Sequence, residues 1–199
     1  MRPHVKDKII SKTKYLEHVM RTVIGFNKID KMLNPRKIDS SVIKLPHGGQ
    51  VIPYFMDSLG KWRVVMVKQY RIPIKAETIE GAGGRIGKNE AIQKALAREL
   101  NEETGIKLNP LAITIVFNEY AAPSLLDASM FGGISKINAD MVINKNRMVS
   151  GKNERTQVEI FDLKNLLKKR EEGVIKIDLM TSRLLDEIAK AVGLLVKKY

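Results

Sequence analysis

Cysteine is absent from this 199-residue chain, so disulfides, thiolate nucleophiles and cysteine-bound metal centres are all excluded. Histidine is nearly absent: His4, His18 and His47 are too scattered to form a ligand cluster, and each reads as structural or exposed. Aromatic residues make up only 6% of the chain and nowhere interleave with a basic run, as a nucleic-acid surface would require. No stretch approaches the ~20 consecutive apolar residues of a membrane span. The lysine-rich start lacks the apolar core of a signal peptide, so the expectation is a cytoplasmic, reducing setting with no membrane partner. Negative charge is also in deficit, with 22 acidic residues against 35 basic ones and a net charge of +13. The excess is spread along the chain, with small knots at Lys168-Lys169-Arg170 and Lys197-Lys198. A field of that kind speeds capture of anionic small molecules and gives specific nucleic-acid recognition little support.

The apolar fraction of 44% suffices for one core of ordinary size. Residues 1–36 form a basic, poorly patterned N-terminal extension in which Lys12 to Met20 is compatible with a helix. From Lys37 the pattern changes to strands. Ser41 to Leu45 and Gln50 to Phe55 flank a His47-Gly48-Gly49 turn, and Trp62 to Tyr70 reads as a buried strand. Ala76 to Gly84 is short and glycine-ended. Further strands are expected at Leu111 to Tyr120, Ser129 to Ile137 and Thr156 to Phe161, then helices at Leu163 to Glu172 and Asp178 to Lys197. Strands on both sides of a central helix, with helices at the end, imply an α/β fold with a mixed sheet between helical layers.

The central helix carries the chemistry. Residues 84–106 read GRIGKNEAIQKALARELNEETGI, with Gly84, Glu90, Arg98, Glu99, Glu102, Glu103 and Gly105 at the offsets G-x5-E-x7-R-E-U-x-E-E-x-G-U, where U is aliphatic. At roughly one in fifteen per fixed residue, seven such matches have a chance of about one in 10^8, far more specific than a lone glycine-rich loop. Ala91 to Thr104 are good helix formers, and Gly105 stands where a left-handed cap ends a helix. Ala95, Leu96 and Leu100 supply the apolar face. Glu99, Glu102 and Glu103 are related by three- and four-residue steps, so their carboxylates leave from one side. Such like charges suit a solvated face or a hard divalent cation, Mg²⁺ or Mn²⁺ rather than zinc. Arg98 can hold a neighbouring carboxylate in place. Glu90 lies half a turn round from Glu99 and reads mainly as a favourable charge at the helix start.

This run resembles the Nudix box of the Nudix hydrolases at every fixed position. Beyond the box, the stretch Val67 to Pro73 (VKQYRIP), Glu80-Gly81-Ala82-Gly83-Gly84, Pro123 and the segment Asn153 to Glu159 resemble the branch that holds ADP-ribose and nucleotide-sugar pyrophosphatases. The likeness runs from about Lys37 to the C-terminus. It implies a Nudix α/β/α sandwich over residues 37–199 with an N-terminal β extension, the strands of 37–56 being a candidate dimerisation element. It implies Mg²⁺- or Mn²⁺-dependent attack of water on the diphosphate of a nucleoside-diphosphate sugar, with ADP-ribose giving AMP and ribose 5-phosphate. Metal ligands carried over are Glu99, Glu103, the Ala82 carbonyl and Glu154, with Glu102 and Arg98 beside them and Glu154 also a candidate to activate water. Arg71, Pro123 and Asp127 fall at substrate-contacting positions. Arg71 is equally read as a strand-end charge, and Glu154 as a loop carboxylate.

Two departures from the branch leave alternatives open. Lys152 and Asn153 precede Glu154 where a second acid is common, and Ser124-Leu125-Leu126-Asp127 replaces a glycine-rich turn and an acid. The general base is therefore open among Glu154, Asp127 and a box glutamate. GDP-mannose or a UDP-sugar remains an alternative substrate, and a nucleic-acid-binding Nudix domain an alternative of another class. The family also implies a homodimer.

Overall fold

A computed structural model of the chain describes residues 4–13, 16–24, 38–142, 148–150 and 155–194. In chain order its strands are β1 (His4–Lys12), β2 (Glu17–Ile24), β3 (Ile38–Lys44), β4 (Gly48–Met56), β5 (Trp62–Arg71), β6 (Ala76–Glu80) and β7 (Ala82–Arg85). After helix α1 (Ile92–Thr104) come β8 (Thr114–Tyr120), β9 (Leu126–Asp127), β10 (Ser129–Lys136), β11 (Met148–Ser150) and β12 (Arg155–Asp162). Helices α2 (Leu163–Glu171) and α3 (Leu179–Ala191) follow. The chain divides into two units, residues 1–47 with 119–130 and residues 48–118 with 131–199.

The first unit is a four-stranded sheet in the order β1-β2-β3-β9, antiparallel except for the β3–β9 pair. The helix compatibility of Lys12 to Met20 is overridden here, because Lys12 ends β1 and Glu17 to Met20 belong to β2, its antiparallel neighbour. Cross-strand chemistry explains the outcome. Asp7 on β1 stands opposite Arg21 on β2, and the guanidinium donates to both its oxygens at 2.9 and 3.1 Å. Such a pair, with β-branched Val5, Ile9, Val19 and Thr22 along the two strands, outweighs weak local helix propensity. Val19 is fully buried. His18 hydrogen-bonds Ser41, and His47 accepts the Ser129 amide, so both serve structural contacts.

In the second unit the sheet runs β11-β12-β5-β4-β10-β8, with β6 added to β5 and β7 added to β4. Central strands β4 and β5 read as nearly continuous apolar runs because both of their faces are covered. Alternate residues feed two cores. Val51, Phe55, Val65 and Val67 pack with Leu96, Ala97 and Leu100 of α1. Ile52, Tyr54, Val64 and Met66 pack with Leu163 and Leu166 of α2 and Leu184, Leu185 and Ile188 of α3. Helices on both faces of one sheet make the α/β/α sandwich expected from the sequence.

Helix boundaries follow their caps. Gly105 adopts φ 78° and its amide returns to the Asn101 carbonyl at 2.9 Å, so α1 stops where the glycine allows a left-handed turn. Asp162 and Asp178 cap α2 and α3 by accepting the amides of Asn165 and Thr181. Helix α3 ends at Ala191, earlier than the expected Lys197, because Gly193 takes φ 73° just beyond it. No helix among the described residues is long and apolar enough to cross a membrane.

Candidate active site

Strand β7 and helix α1 are joined by a short loop and packed face to face, which sets two glutamates against a glycine-rich backbone. Leu96 and Leu100 anchor one side of α1 in the core, and the three- and four-residue spacing then points Glu99 and Glu103 back toward β7. The Glu103 carboxylate accepts the Gly83 amide at 3.0 Å. The Glu99 carboxyl fills the space that a side chain at Gly84 would need: a Cβ there would fall within 2.6 Å of all three of its carboxyl atoms. Gly83 is equally confined, since a Cβ would meet the Gly49 carbonyl oxygen at 2.2 Å. The backbone of β7 can approach both strand β4 and the glutamates because these two residues lack side chains.

Arg98 ties the carboxylates together from beside the helix. Its guanidinium donates to Glu99 at 2.8 Å, to Glu90 at 3.1 and 3.2 Å, to Glu102 at 3.3 Å and to the Arg85 carbonyl at 3.0 Å. Burial pushes the Glu99 carboxyl above its ordinary pKa, opposed by Arg98 and reinforced by the charges of Glu102 and Glu90. The hydrogen bonds that Arg98 donates to Glu90 and Glu99 hold it firmly protonated. Glu102 is the most exposed of the box glutamates and points to the solvent side of Arg98.

Glu90 differs from its expected role. The helix begins only at Ile92, so Glu90 lies in the loop before it and no acidic residue stands in the first turn. Its carboxylate accepts the Gly87 amide at 2.8 Å and pairs with Arg98, and both contacts hold its pKa down. It closes the loop onto the arginine rather than tuning the helix dipole, and a helical angle between Glu90 and Glu99 does not apply.

Arg71, the last residue of β5, is held by a buried carboxylate that sequence reasoning did not single out as functional. Glu80 receives the Arg71 Nε–H at 2.8 Å and a second bond from its Nη2, with further bonds from Thr78 Oγ1 at 2.6 Å and Gln69 Nε2 at 3.1 Å. Burial opposes the charged form of Glu80, but these donors outweigh it and its carboxyl lies below the ordinary range. The Glu80 side chain is 4% exposed and that of Arg71 42%, so the fork is anchored inside while the guanidinium reaches solvent.

The structure therefore brings Ala82, Arg98, Glu99, Glu102 and Glu103 together and places Arg71 in a fork of its own. Pro123 and Asp127 belong to the first unit. Pro123 lies in an exposed turn closed by the Leu125 and Leu126 amides on the Ala122 carbonyl, and Asp127 accepts from Arg21 at 2.7 Å. Glu154 lies outside the described residues. Among the described residues no three Asp, Glu or His side chains already converge at metal-binding distance. The donors present are nonetheless hard oxygens, with Glu99 and Glu103 four residues apart against one backbone segment. That chemistry fits Mg²⁺ or Mn²⁺.

Comparison with known proteins agrees with this geometry. The NUDIX domain family matches residues 46–133. A Caenorhabditis elegans protein named "Putative nudix hydrolase 2" is 50% identical over 46 residues, covering 23% of this chain and 21% of its own. An ADP-ribose pyrophosphatase of Bacillus subtilis (strain 168) is 33% identical over 81 residues, covering 41% of this chain and 42% of its own. The chain thus spans less than half the length of either relative.

Proposed function

We propose that this chain, whose residues 46–133 match the NUDIX domain family, is a divalent-metal-dependent diphosphatase whose substrate is a nucleoside-diphosphate sugar, ADP-ribose first. The observation that carries the reading is the placement of the Glu99 and Glu103 carboxylates against the Gly83-Gly84 backbone. Mg²⁺ or Mn²⁺ would be held by Glu99, Glu103 and the Ala82 carbonyl, with Glu154 completing the set. Bound there, such an ion polarises the phosphoryl group and offsets charge on the leaving phosphate.

The protein's own groups supply the rest. Arg98 fixes the Glu99 rotamer before substrate arrives, which removes the cost of ordering it later. Glu102, exposed beside Arg98, can hold a water. A carboxylate must take the proton of the attacking water, a step worth about 10²–10⁴-fold. Glu154 is our first assignment for that base, with Asp127 and a box glutamate as alternatives. Arg71, locked by Glu80 and half-exposed, offers a cation to the phosphate or sugar end of the substrate. The net charge of +13 draws in that anion.

The likeness to the Bacillus subtilis ADP-ribose pyrophosphatase favours ADP-ribose over GDP-mannose and UDP-sugars. Purified protein with Mg²⁺ should be offered ADP-ribose, GDP-mannose, UDP-glucose, dinucleotides and nucleoside triphosphates, with released phosphomonoester measured after phosphatase coupling. AMP and ribose 5-phosphate from ADP-ribose are the expected products. A strong preference for triphosphates rejects the substrate class while leaving the metal site standing. The remaining alternative, nucleic-acid binding, is tested by titrating RNA at increasing salt. Retained affinity and sequence preference at physiological salt would favour it over bulk electrostatics.

A further inference from the structure

We propose that Thr181, at the start of the C-terminal helix, is a positioning residue that holds the backbone at Gly81 and so fixes the Ala82 carbonyl for metal binding. This rests on the reading of Ala82, Glu99 and Glu103 as the metal's ligands. Thr181 lies well beyond residue 133, where the NUDIX match ends.

The construction begins with a cap. Asp178 accepts the Thr181 amide at 2.7 Å, which starts α3 and turns the Thr181 side chain into the protein, where the residue is fully buried. The hydroxyl then uses both of its capabilities. It accepts the Gly81 amide at 2.9 Å and donates to Gln50 Oε1 at 2.9 Å. Gln50 in turn donates from Nε2 to Asp178 at 2.7 Å, closing a ring of Asp178, Thr181 and Gln50. Gln50 sits on β4 directly opposite Gly83, and Val51 opposite Ala82. The chain just before Gly81 is held as well, since the Ile79 amide donates to the Lys176 carbonyl at 2.9 Å.

Ala82 is thus bracketed. The amide before it goes to Thr181 and the amide after it, that of Gly83, goes to Glu103. With the Glu80–Gly81 peptide held by Thr181, and the Ala82–Gly83 peptide that carries the Ala82 carbonyl held by Glu103, that carbonyl has little freedom to rotate. The buried face of α3 is otherwise apolar, with Leu184, Leu185 and Ile188. Packing alone would be served as well by valine, which has the shape of threonine. The hydroxyl is what distinguishes position 181, and its acceptor lone pair is spent on the loop that carries Ala82.

The test compares Thr181→Val with Thr181→Ser in the full chain and reads Mn²⁺ affinity by electron paramagnetic resonance, alongside the Mg²⁺ concentration for half-maximal hydrolysis. Thr181→Val should weaken Mn²⁺ binding about tenfold or more, and Thr181→Ser should stay within about twofold of wild type. Leu185→Val, which loosens the same helix without touching the ring, controls for simple destabilisation and should leave Mn²⁺ affinity unchanged. A loss in Leu185→Val equal to that in Thr181→Val overturns the proposal, as does wild-type affinity in Thr181→Val. Should Thr181→Val fail to fold, hydrogen exchange in the wild-type protein decides, because a freely exchanging Gly81 amide also overturns it. Wild-type protein that neither binds Mn²⁺ nor hydrolyses the substrate panel removes the underlying reading of the metal site instead.

Discussion

The Glu103 carboxylate accepts the amide of Gly83 at 3.0 Å, which joins the last turn of α1 to the strand that precedes it in sequence. One oxygen is engaged by the backbone, so the side chain is held at the edge of β7.

Glu103→Gln keeps the shape and an oxygen acceptor but removes the charge. We expect turnover of the diphosphate substrate to fall by at least about a hundredfold while the circular dichroism spectrum and melting temperature stay close to wild type. Normal Mg²⁺-dependent turnover in this variant rejects the assignment of Glu103.

Arg98 pairs with three carboxylates at once, so its loss should be felt in stability as well as in activity. Arg98→Ala leaves Glu90, Glu99 and Glu102 facing one another and should cost about 1–2 kcal/mol, discounted because the guanidinium is partly exposed. Added Mg²⁺ should raise the melting temperature of this variant more than that of wild type, because the ion replaces part of the missing positive charge. An equal Mg²⁺ response in both proteins counts against a metal beside Glu99.

Gly84→Ala tests the packing of Glu99 directly. The new Cβ would lie within 2.6 Å of the Glu99 carboxyl and must push it off β7, with Mn²⁺ affinity expected to fall about tenfold or more. Gly105→Ala is the matched control. It strains a φ of 78° and should lower stability by about 1 kcal/mol without a change in metal affinity. Equal effects of the two variants on Mn²⁺ binding contradict the prediction.

Acid stability in the N-terminal sheet should depend on Asp7. Hydrogen bonds from Arg21 and Lys44 hold its carboxyl at about 2, below the ordinary 3.8. The folded state therefore binds the proton less tightly than the unfolded chain. The resulting stabilisation is complete above about pH 4 and is lost as the pH falls toward 2. Urea unfolding of wild type and Asp7→Asn at stepped pH should show a gap that is widest above pH 4 and shrinks toward pH 2. A gap that does not change with pH excludes this charge as its source.

What the sequence disclosed and what it hid follow from the range of the contacts. Helix α1, its Gly105 cap and the common direction of Glu99 and Glu103 depend on neighbours within four residues, and these were legible. The strands β4 and β5 announced themselves as apolar runs because both faces are buried. The N-terminal hairpin did not, since the Asp7–Arg21 pairing that favours it spans 14 residues and no local pattern encodes it. The Glu90 clamp was missed because the helix starts two residues later than that glutamate. The Thr181–Gly81 bond joins residues 100 positions apart. Its only trace was an Asp-x-x-Thr spacing at the start of α3, which reads as an ordinary cap.

The glycines of β7 carry a consequence for how such a protein can diverge. A side chain at position 83 would strike the Gly49 carbonyl oxygen, and one at position 84 would displace the Glu99 carboxyl. Mutational change in this segment therefore disturbs either the β4 backbone or the Glu99 rotamer, so the segment tolerates little divergence. On the proposed reading, changes of substrate preference fall instead on positions with room to vary, such as the partly exposed Arg71. On that reading, reaction and recognition are inherited separately within one chain.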